Sequence, residues 1–415
     1  MRSLSILILS TAGLAAQTLT LESALELAAK QNPGVQLSRL RLLERRAQTD
    51  ALRAGYLPQA DLLVSATRQT SNLQGIGLVF PGFPSRIGPF RTFNARPIVS
   101  QKVIDLSLLA SVRAARHSES AAARDIEAVR EQTQAAVISL FLETFQAQSR
   151  LRAARARLQT AESLLAQTID REKAGAASQL DLARHRQRRE IEQTEQIAAE
   201  QDLALLRPAL EELLAAPVSG ELAEPKLRLT SLDSPTQRPD LHAARERVKA
   251  AEQDLHRARR ARWPQLTALA DYGVLGAGPD SAIATYNLGA TLQIPLWTSG
   301  RLDAEIRAAS LRLEQAKQEA QRLQLAAARQ AAQAQTSFAA QTRAEAAAAA
   351  ARAARQVLEL TTLRYQSGLA TTLDTVTAQE ALATAEDLEI RSRYQAQLAL
   401  AQLAFAYGDV RTALP

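Results

Sequence analysis

The chain is 415 residues long and contains no cysteine, which excludes disulfide frameworks, cysteine-ligated zinc, thiol catalysis and a lipidated N-terminal cysteine. Its 50 Lys+Arg against 43 Asp+Glu leave a formal charge of +7, too mild to announce a nucleic-acid binder. Hydrophobic residues make up 46% but aromatics only 4%, and Ala supplies much of the apolar share. Ala favours helix yet buries little area, so long, closely approaching helices are expected rather than a thick globular core.

In chain order, residues 1–16 read as a secretory signal peptide: Met1-Arg2-Ser3, an apolar run from Leu4 to Leu9, and the small residues Ala12, Gly13, Ala15 and Ala16. The alternative is a buried N-terminal helix or strand. The run is too short to span a bilayer, which needs about 20 apolar residues, and no later segment comes near that length without charges. A mature chain that crosses a membrane must therefore do so as a β-barrel.

Residues 17–216 form a first repeat, with strands at about 58–70 and 93–104 and long helices at about 105–172 and 178–215. Residues 217–237, rich in Pro and polar side chains, read as a connection. Residues 238–410 form a second repeat, with strands at about 264–275 and 285–296 and helices at about 299–366 and 371–407; 411–415 are a tail. Gly and Pro are absent from Ile98 to Ala174, 77 residues, and from Arg301 to Ser367, 67 residues. Helices filling such runs reach on the order of 100 Å.

The repeats are copies. Pro33, Arg39, Arg41, Arg53, Pro58, Gln59 and Leu63 match Pro239, Arg245, Arg247, Arg259, Pro264, Gln265 and Leu269 at a constant offset of 206. The turn carrying Lys173, Gly175, Leu180 and Asp181 matches Gln366, Gly368, Leu373 and Asp374 at an offset of 193. Such self-similarity marks an internal duplication.

The strand segments alternate. Tyr286, Leu288, Ala290, Leu292, Ile294 and Leu296 share one face, opposite Asn287, Gly289, Thr291 and Gln293. About 10 such residues suffice for a tilted strand to cross a bilayer; the alternative is two soluble hairpins packed on the helices. Residues 71–92 and 276–284, dense in Gly and Pro, read as hairpin loops. Four strands cannot close a barrel, since outer-membrane barrels have at least eight, so other copies must complete the edges.

The order Leu19-Thr20-Leu21-Glu22, Asn32-Pro33, Leu57-Pro58-Gln59, Arg238-Pro239, Trp263-Pro264-Gln265, Leu296 to Arg301, and Tyr365 to Gly368 with Leu373-Asp374 resembles the TolC-like outer-membrane efflux family over essentially the whole mature chain. The resemblance implies a mainly α protein with a membrane β-barrel part. Its long helical hairpins would form a periplasmic α-barrel, and four strands per protomer would contribute to a twelve-stranded trimeric β-barrel. It implies an exit duct of a tripartite efflux or type I secretion system in a Gram-negative-type outer membrane. Small molecules, ions or proteins would leave passively, driven by an inner-membrane pump. The implied partners are a homotrimer, a periplasmic adaptor, the pump and outer-membrane lipid, with no nucleic acid. The competing reading is a secreted or periplasmic coiled-coil structural protein without a pore.

By the same resemblance the two helical turns lie at the periplasmic tip, where Lys173, Gly175 and Ser178, with Tyr365, Ser367, Gly368, Leu369 and Thr371, would dock the adaptor. Asp374 matches an acidic entrance ring and Asp181 is its repeat partner, while the family's further acidic position falls on Thr377, which leaves a double ring in question. The alternative for Asp374 is a helix N-cap. No catalytic, cofactor or metal site is expected. His117, His185, His242 and His256 stand singly and read as surface residues, and the arginine runs 184–189 and 257–262 as solvated helix faces. Phe80, Phe83, Phe90 and Phe93 are expected in a loop, either narrowing the outer mouth or packing it.

Overall fold

The computed structural model describes residues 18–77, 82, 84–228, 238–337 and 340–408. The signal-peptide reading, the tail, Phe80, Phe83 and the part of the connection from 229 to 237 lie outside the described residues. The elements run α1 (Leu21–Gln31), α2 (Pro33–Ala54), β1 (Gln59–Asn72), β2 (Arg86–Ile104), α3 (Leu106–Lys173), α4 (Gln179–Leu214), α5 (Pro239–Arg260), β3 (Gln265–Gly276), β4 (Ile283–Gln293), α6 (Arg301–Ser337), α7 (Ala340–Gln366) and α8 (Thr372–Tyr407). The chain divides into two compact units, and each draws on both repeats.

One unit comprises residues 41–123 and 243–321 and carries the sheet. Its strands are antiparallel in the order β1-β2-β3-β4, which leaves β1 and β4 as edges. The pairing decides which residues share a face, because cross-strand partners project to the same side. Leu266↔Leu292, Ala268↔Ala290, Ala270↔Leu288, Tyr272↔Tyr286 and Val274↔Ala284 form an apolar face. Ala60↔Val99, Leu62↔Pro97, Val64↔Ala95 and Ala66↔Phe93 continue it. Among the described residues nothing in the unit covers this face: Tyr286 and Leu288 are each 79% exposed.

The opposite face is polar, with Gln265↔Gln293, Thr267↔Thr291 and Asp271↔Asn287. There Arg96 donates to Asp271 at 2.9 Å and to Asn94 at 2.6 Å. Gly273 makes room for it, since a Cβ at that position would stand 2.2 Å from the Arg96 Cβ.

The strand ends differ from the sequence expectation. Residues 86–92 belong to β2, so Phe90 and Phe93 are strand residues and not loop residues. Gly88 and Pro89 suggest a loop, yet the shift in the β1–β2 register between Gln69 and Ser71 absorbs them. β4 stops at Gln293, ahead of Pro295, which has no N–H to offer a ladder. Beside the sheet, Leu255 and Ala258 of α5 pack on Ala309 of α6, and His117 contacts Glu246 at 2.9 Å.

The other unit comprises residues 1–40, 124–242 and 322–415. Here the expectation of closely approaching helices without a thick core meets a local exception. Leu21 and Leu25 of α1, Val137, Ile138 and Phe141 of α3, Leu210 and Leu214 of α4, and Leu400 and Ala404 of α8 form one buried cluster. Leu222 and Leu227 of the connection join it, and Leu19 bridges Leu222. The connection is thus a packed segment as far as it is described. At about 1.5–3 kcal/mol per fully buried large apolar side chain, this patch anchors α1, α3, α4 and α8 together. Away from it contacts are thin and Ala-based, as where Ala147 and Leu151 of α3 meet Ala199 and Leu203 of α4.

Candidate functional site

The two turns that join α3 to α4 and α7 to α8 are built alike. In the first, the Ala176 N–H donates to the Arg171 carbonyl at 2.7 Å and the Gly175 N–H to that of Glu172 at 2.9 Å. In the second, the Leu369 and Gly368 N–H groups donate to Arg364 and Tyr365 at 2.8 and 3.1 Å. This is a Schellman ending, and it requires the left-handed conformation that Gly175 (φ +72°) and Gly368 (φ +75°) adopt. Three residues later each chain re-enters helix through a capping box. The Ser178 hydroxyl takes the Asp181 N–H at 3.2 Å and donates to the Asp181 carboxylate at 2.7 Å. Thr371 and Asp374 repeat this at 3.3 and 2.7 Å.

Ser178 and Thr371 are therefore the N-caps, and Asp181 and Asp374 are their carboxylate partners at the third helical position. The N-cap alternative for Asp374 is corrected by three residues. The backbone N–H of Thr371, then its hydroxyl, hold the Asp374 carboxyl below its ordinary value. The Ser178 hydroxyl does the same for Asp181, with burial opposing. Both remain ionised at neutral pH. Thr377, one turn beyond Asp374, is exposed and uncharged.

Tyr365, expected as a docking residue, is only 4% exposed. Its hydroxyl lies 3.0 Å from the Thr168 hydroxyl, its carbonyl accepts from Arg171 at 2.6 Å, and the Arg171 guanidinium sits 4.6 Å from the ring centroid. It thus ties α7 to α3 from inside. The residues the turns expose are others: Leu369 is 70% exposed, and Leu180 and Leu373 also stand out into solvent. Sequence reasoning passed over those two leucines because they occupy the apolar phase of a helix; only their position at a helix start marks them as uncovered.

Two surface assignments are overturned nearby. His185 is wholly buried beside Tyr365, with ring centroids 5.9 Å apart, and burial pushes its pKa below the usual histidine value. Arg188, read as part of a solvated run, is buried with Glu192. Arg157 of α3 meets Glu192 at 3.2 Å and Glu386 of α8 at 3.5 Å; Arg188 reaches Glu380 at 3.8 Å; Arg355 of α7 bonds Glu386 and Glu389. One ion network thereby spans all four helices. Only a three-dimensional arrangement reveals it, since each charge alone fits the pattern of an exposed helix face.

Among the described residues no cluster of three His, Asp or Glu side chains is arranged to hold a metal. No described helix is long and apolar enough to cross a membrane.

An open four-stranded sheet with one bare apolar face, joined to paired helices of great length, defines the protomer of a channel with α-barrel and β-barrel parts. The chain belongs to the outer membrane efflux protein family, whose model matches residues 24–216 and 234–409. It is 29% identical over 389 residues to the pyoverdine export outer membrane protein OpmQ of Pseudomonas aeruginosa, covering 88% of this chain and 79% of that one. To OpmQ of Pseudomonas putida it is 28% identical over 392 residues, covering 86% and 80%. The outer membrane channel CmeC of Campylobacter jejuni superposes with a TM-score of 0.84 at 19% identity, covering 94% of this chain and 85% of that one. The protein is an outer-membrane efflux channel that extends into the periplasm, and the reading as a poreless structural protein falls away.

Proposed function

We propose that three copies of the chain close a twelve-stranded barrel in the outer membrane, and that their helices continue as a hollow duct to an entrance at the two turns. The observation that carries this reading is the open sheet, whose edges β1 and β4 need partners and whose apolar face needs lipid. Flow through the duct is passive and is powered by an inner-membrane pump joined through a periplasmic adaptor.

The adaptor meets the exposed parts of the turns: Lys173, Gly175 and Ser178 on one side, and Ser367, Gly368, Leu369 and Thr371 on the other. Tyr365 supports them from beneath. Asp374, with Asp181, supplies negative charge at the entrance, and its free carboxylate oxygen faces the solute because the other is engaged with Thr371. A siderophore-sized solute is the first cargo to test, on the strength of the likeness to the pyoverdine exporters.

The test is purification from outer membranes in detergent, followed by single-channel recording. The reading expects a mass of three protomers, discrete cation-preferring openings, and a weaker preference in Asp374→Asn. A monomer without conductance, or recovery only in the soluble periplasm, refutes it.

A further inference from the structure

We propose that Arg68 and Arg91 form a phosphate-binding site on the lipid-facing surface, where they hold the phosphorylated glycolipid of the outer leaflet. This inference rests on the assignment of the sheet to the outer membrane.

The two arginines are direct cross-strand partners, Arg68 on β1 opposite Arg91 on β2. They lie on the same side as Ala60, Leu62, Val64 and Ala66 and their partners Val99, Pro97, Ala95 and Phe93. The apolar stripe thus ends abruptly in a pair of guanidinium groups. Like charges placed directly opposite one another destabilise a ladder unless something of opposite sign lies between them. Nothing within the hairpin can do so. From Leu62 to Ile104 the chain has five bases, Arg68, Arg86, Arg91, Arg96 and Lys102, and no Asp or Glu. Arg96 points to the other face and is spent on Asp271. Among the described residues neither Arg68 nor Arg91 has an ion pair, and both are exposed.

The level of the pair fixes what it can meet. On β3 the apolar face runs from Leu266, just above Trp263, to Gly276, which lies level with Phe93 of β2; these ten residues make about 33 Å of strand at ~3.3 Å per residue, or ~25 Å of height at a strand tilt of ~40°, the height of the apolar band of an outer-membrane barrel, and Arg91 is the next residue on that face. The lower rim is marked by Trp263, just before β3, and Trp297, just after β4, which are 57% and 87% exposed. Interfacial tryptophans flank such bands. Arg68 and Arg91 therefore sit at the opposite, outward rim, where a lipid-facing charge costs least and where phosphate groups of the outer leaflet lie. Two forked guanidinium groups side by side suit a phosphate monoester, which offers several oxygens to bidentate donors.

The full-length protein in detergent, stripped of lipid, is titrated with diphosphoryl lipid A, monophosphoryl lipid A, phosphatidylglycerol and inorganic phosphate, with bound copies counted by native mass spectrometry. The proposal expects diphosphoryl lipid A to bind at least tenfold more tightly to the unaltered protein than to Arg68→Gln/Arg91→Gln. It also expects monophosphoryl lipid A, which keeps one phosphate monoester, to lose affinity in the same variant. Equal affinity of both proteins for diphosphoryl lipid A overturns it. So does equal binding of phosphatidylglycerol or free phosphate, which makes the pair a general anion patch. A second variant, Asp280→Asn, guards against a different occupant, the acidic β3–β4 loop of a neighbouring copy. If it and the arginine variant both lose the oligomer, the pair is an intersubunit contact; intact oligomer in both, with lipid binding lost only in the arginine variant, supports the site. Failure to isolate any oligomer from the unaltered protein would instead refute the channel assembly itself.

Discussion

Tyr365 should govern the local stability of the turn region, and two substitutions separate its contributions. Tyr365→Phe removes only the hydroxyl, which lies 3.0 Å from Thr168. Thr168 still donates to the Leu164 carbonyl at 2.8 Å, so no buried group is orphaned and the cost is the net value of one hydrogen bond, about 1 kcal/mol. That raises local opening roughly fivefold, given tenfold per ~1.4 kcal/mol. Tyr365→Ala empties a large buried site, worth about 3–5 kcal/mol, and strips Arg171 of its aromatic platform. Local opening should then rise by roughly two to three and a half orders of magnitude, or until it meets global unfolding. Amide hydrogen exchange reads this directly at Ala176 and Leu369, whose N–H groups close the two turns. The reasoning fails if Tyr365→Ala changes these amides less than tenfold. It also fails if β3 and β4 accelerate equally, because the effect would then be global rather than seated at the turns.

Three further outcomes follow from the same geometry. Because burial holds the His185 pKa below its ordinary 6.5, the unfolded state gains protons first as pH falls below that value, so stability of the α3–α4 turn should decline from about pH 6.5 downward. His185→Gln should flatten that segment of a pH-dependent exchange profile. Glu192→Gln should cost about 3 kcal/mol in chemical unfolding, since it removes the carboxylate shared by half-buried Arg157 and buried Arg188, whereas Arg355→Ala, at a half-exposed pair, should cost under ~1 kcal/mol. Gly273→Ala should lower folding yield in detergent by about 1–3 kcal/mol of overpacking, because the new methyl meets the Arg96 side chain and the Ala95 carbonyl; an unchanged urea midpoint would contradict this.

What the sequence disclosed, and what it hid, divides along a physical line. The strands were legible because period-two alternation is local: Tyr286, Leu288, Ala290 and Leu292 declare a face without any partner. The turns were legible because Gly175 and Gly368 interrupt long glycine-free runs and return the same pattern after them. His185 and Arg188 were misread because burial is not local. A histidine among arginines carries no mark that a tyrosine from 180 residues away closes over it. The core around Phe141 escaped for a related reason, since its leucines are spread over α1, α3, α4, α8 and the connection. Average composition argues against a thick core, and composition cannot reveal concentration in one place.

These misread residues also explain how Ala-rich helices keep one register. Contacts such as Ala147 with Ala199 are small and nearly equivalent one turn along, so sliding one helix past another would change apolar burial little. Sliding by one turn, about 5.4 Å, would separate Arg157 from both Glu192 and Glu386 and leave its largely buried guanidinium without a carboxylate. It would also pull Tyr365 away from Thr168 and Arg171. The buried polar groups therefore add discrimination where packing supplies little. An Arg157→Met/Arg188→Met/Glu192→Leu triple makes the point measurable: it should leave unfolding stability within ~1–2 kcal/mol, because a buried ion triad replaced whole by apolar groups is close to neutral. Cross-linking between cysteines placed on α3 and α4 should nevertheless lose its single preferred register. A triple variant that loses stability but keeps one register would assign the network to stability alone.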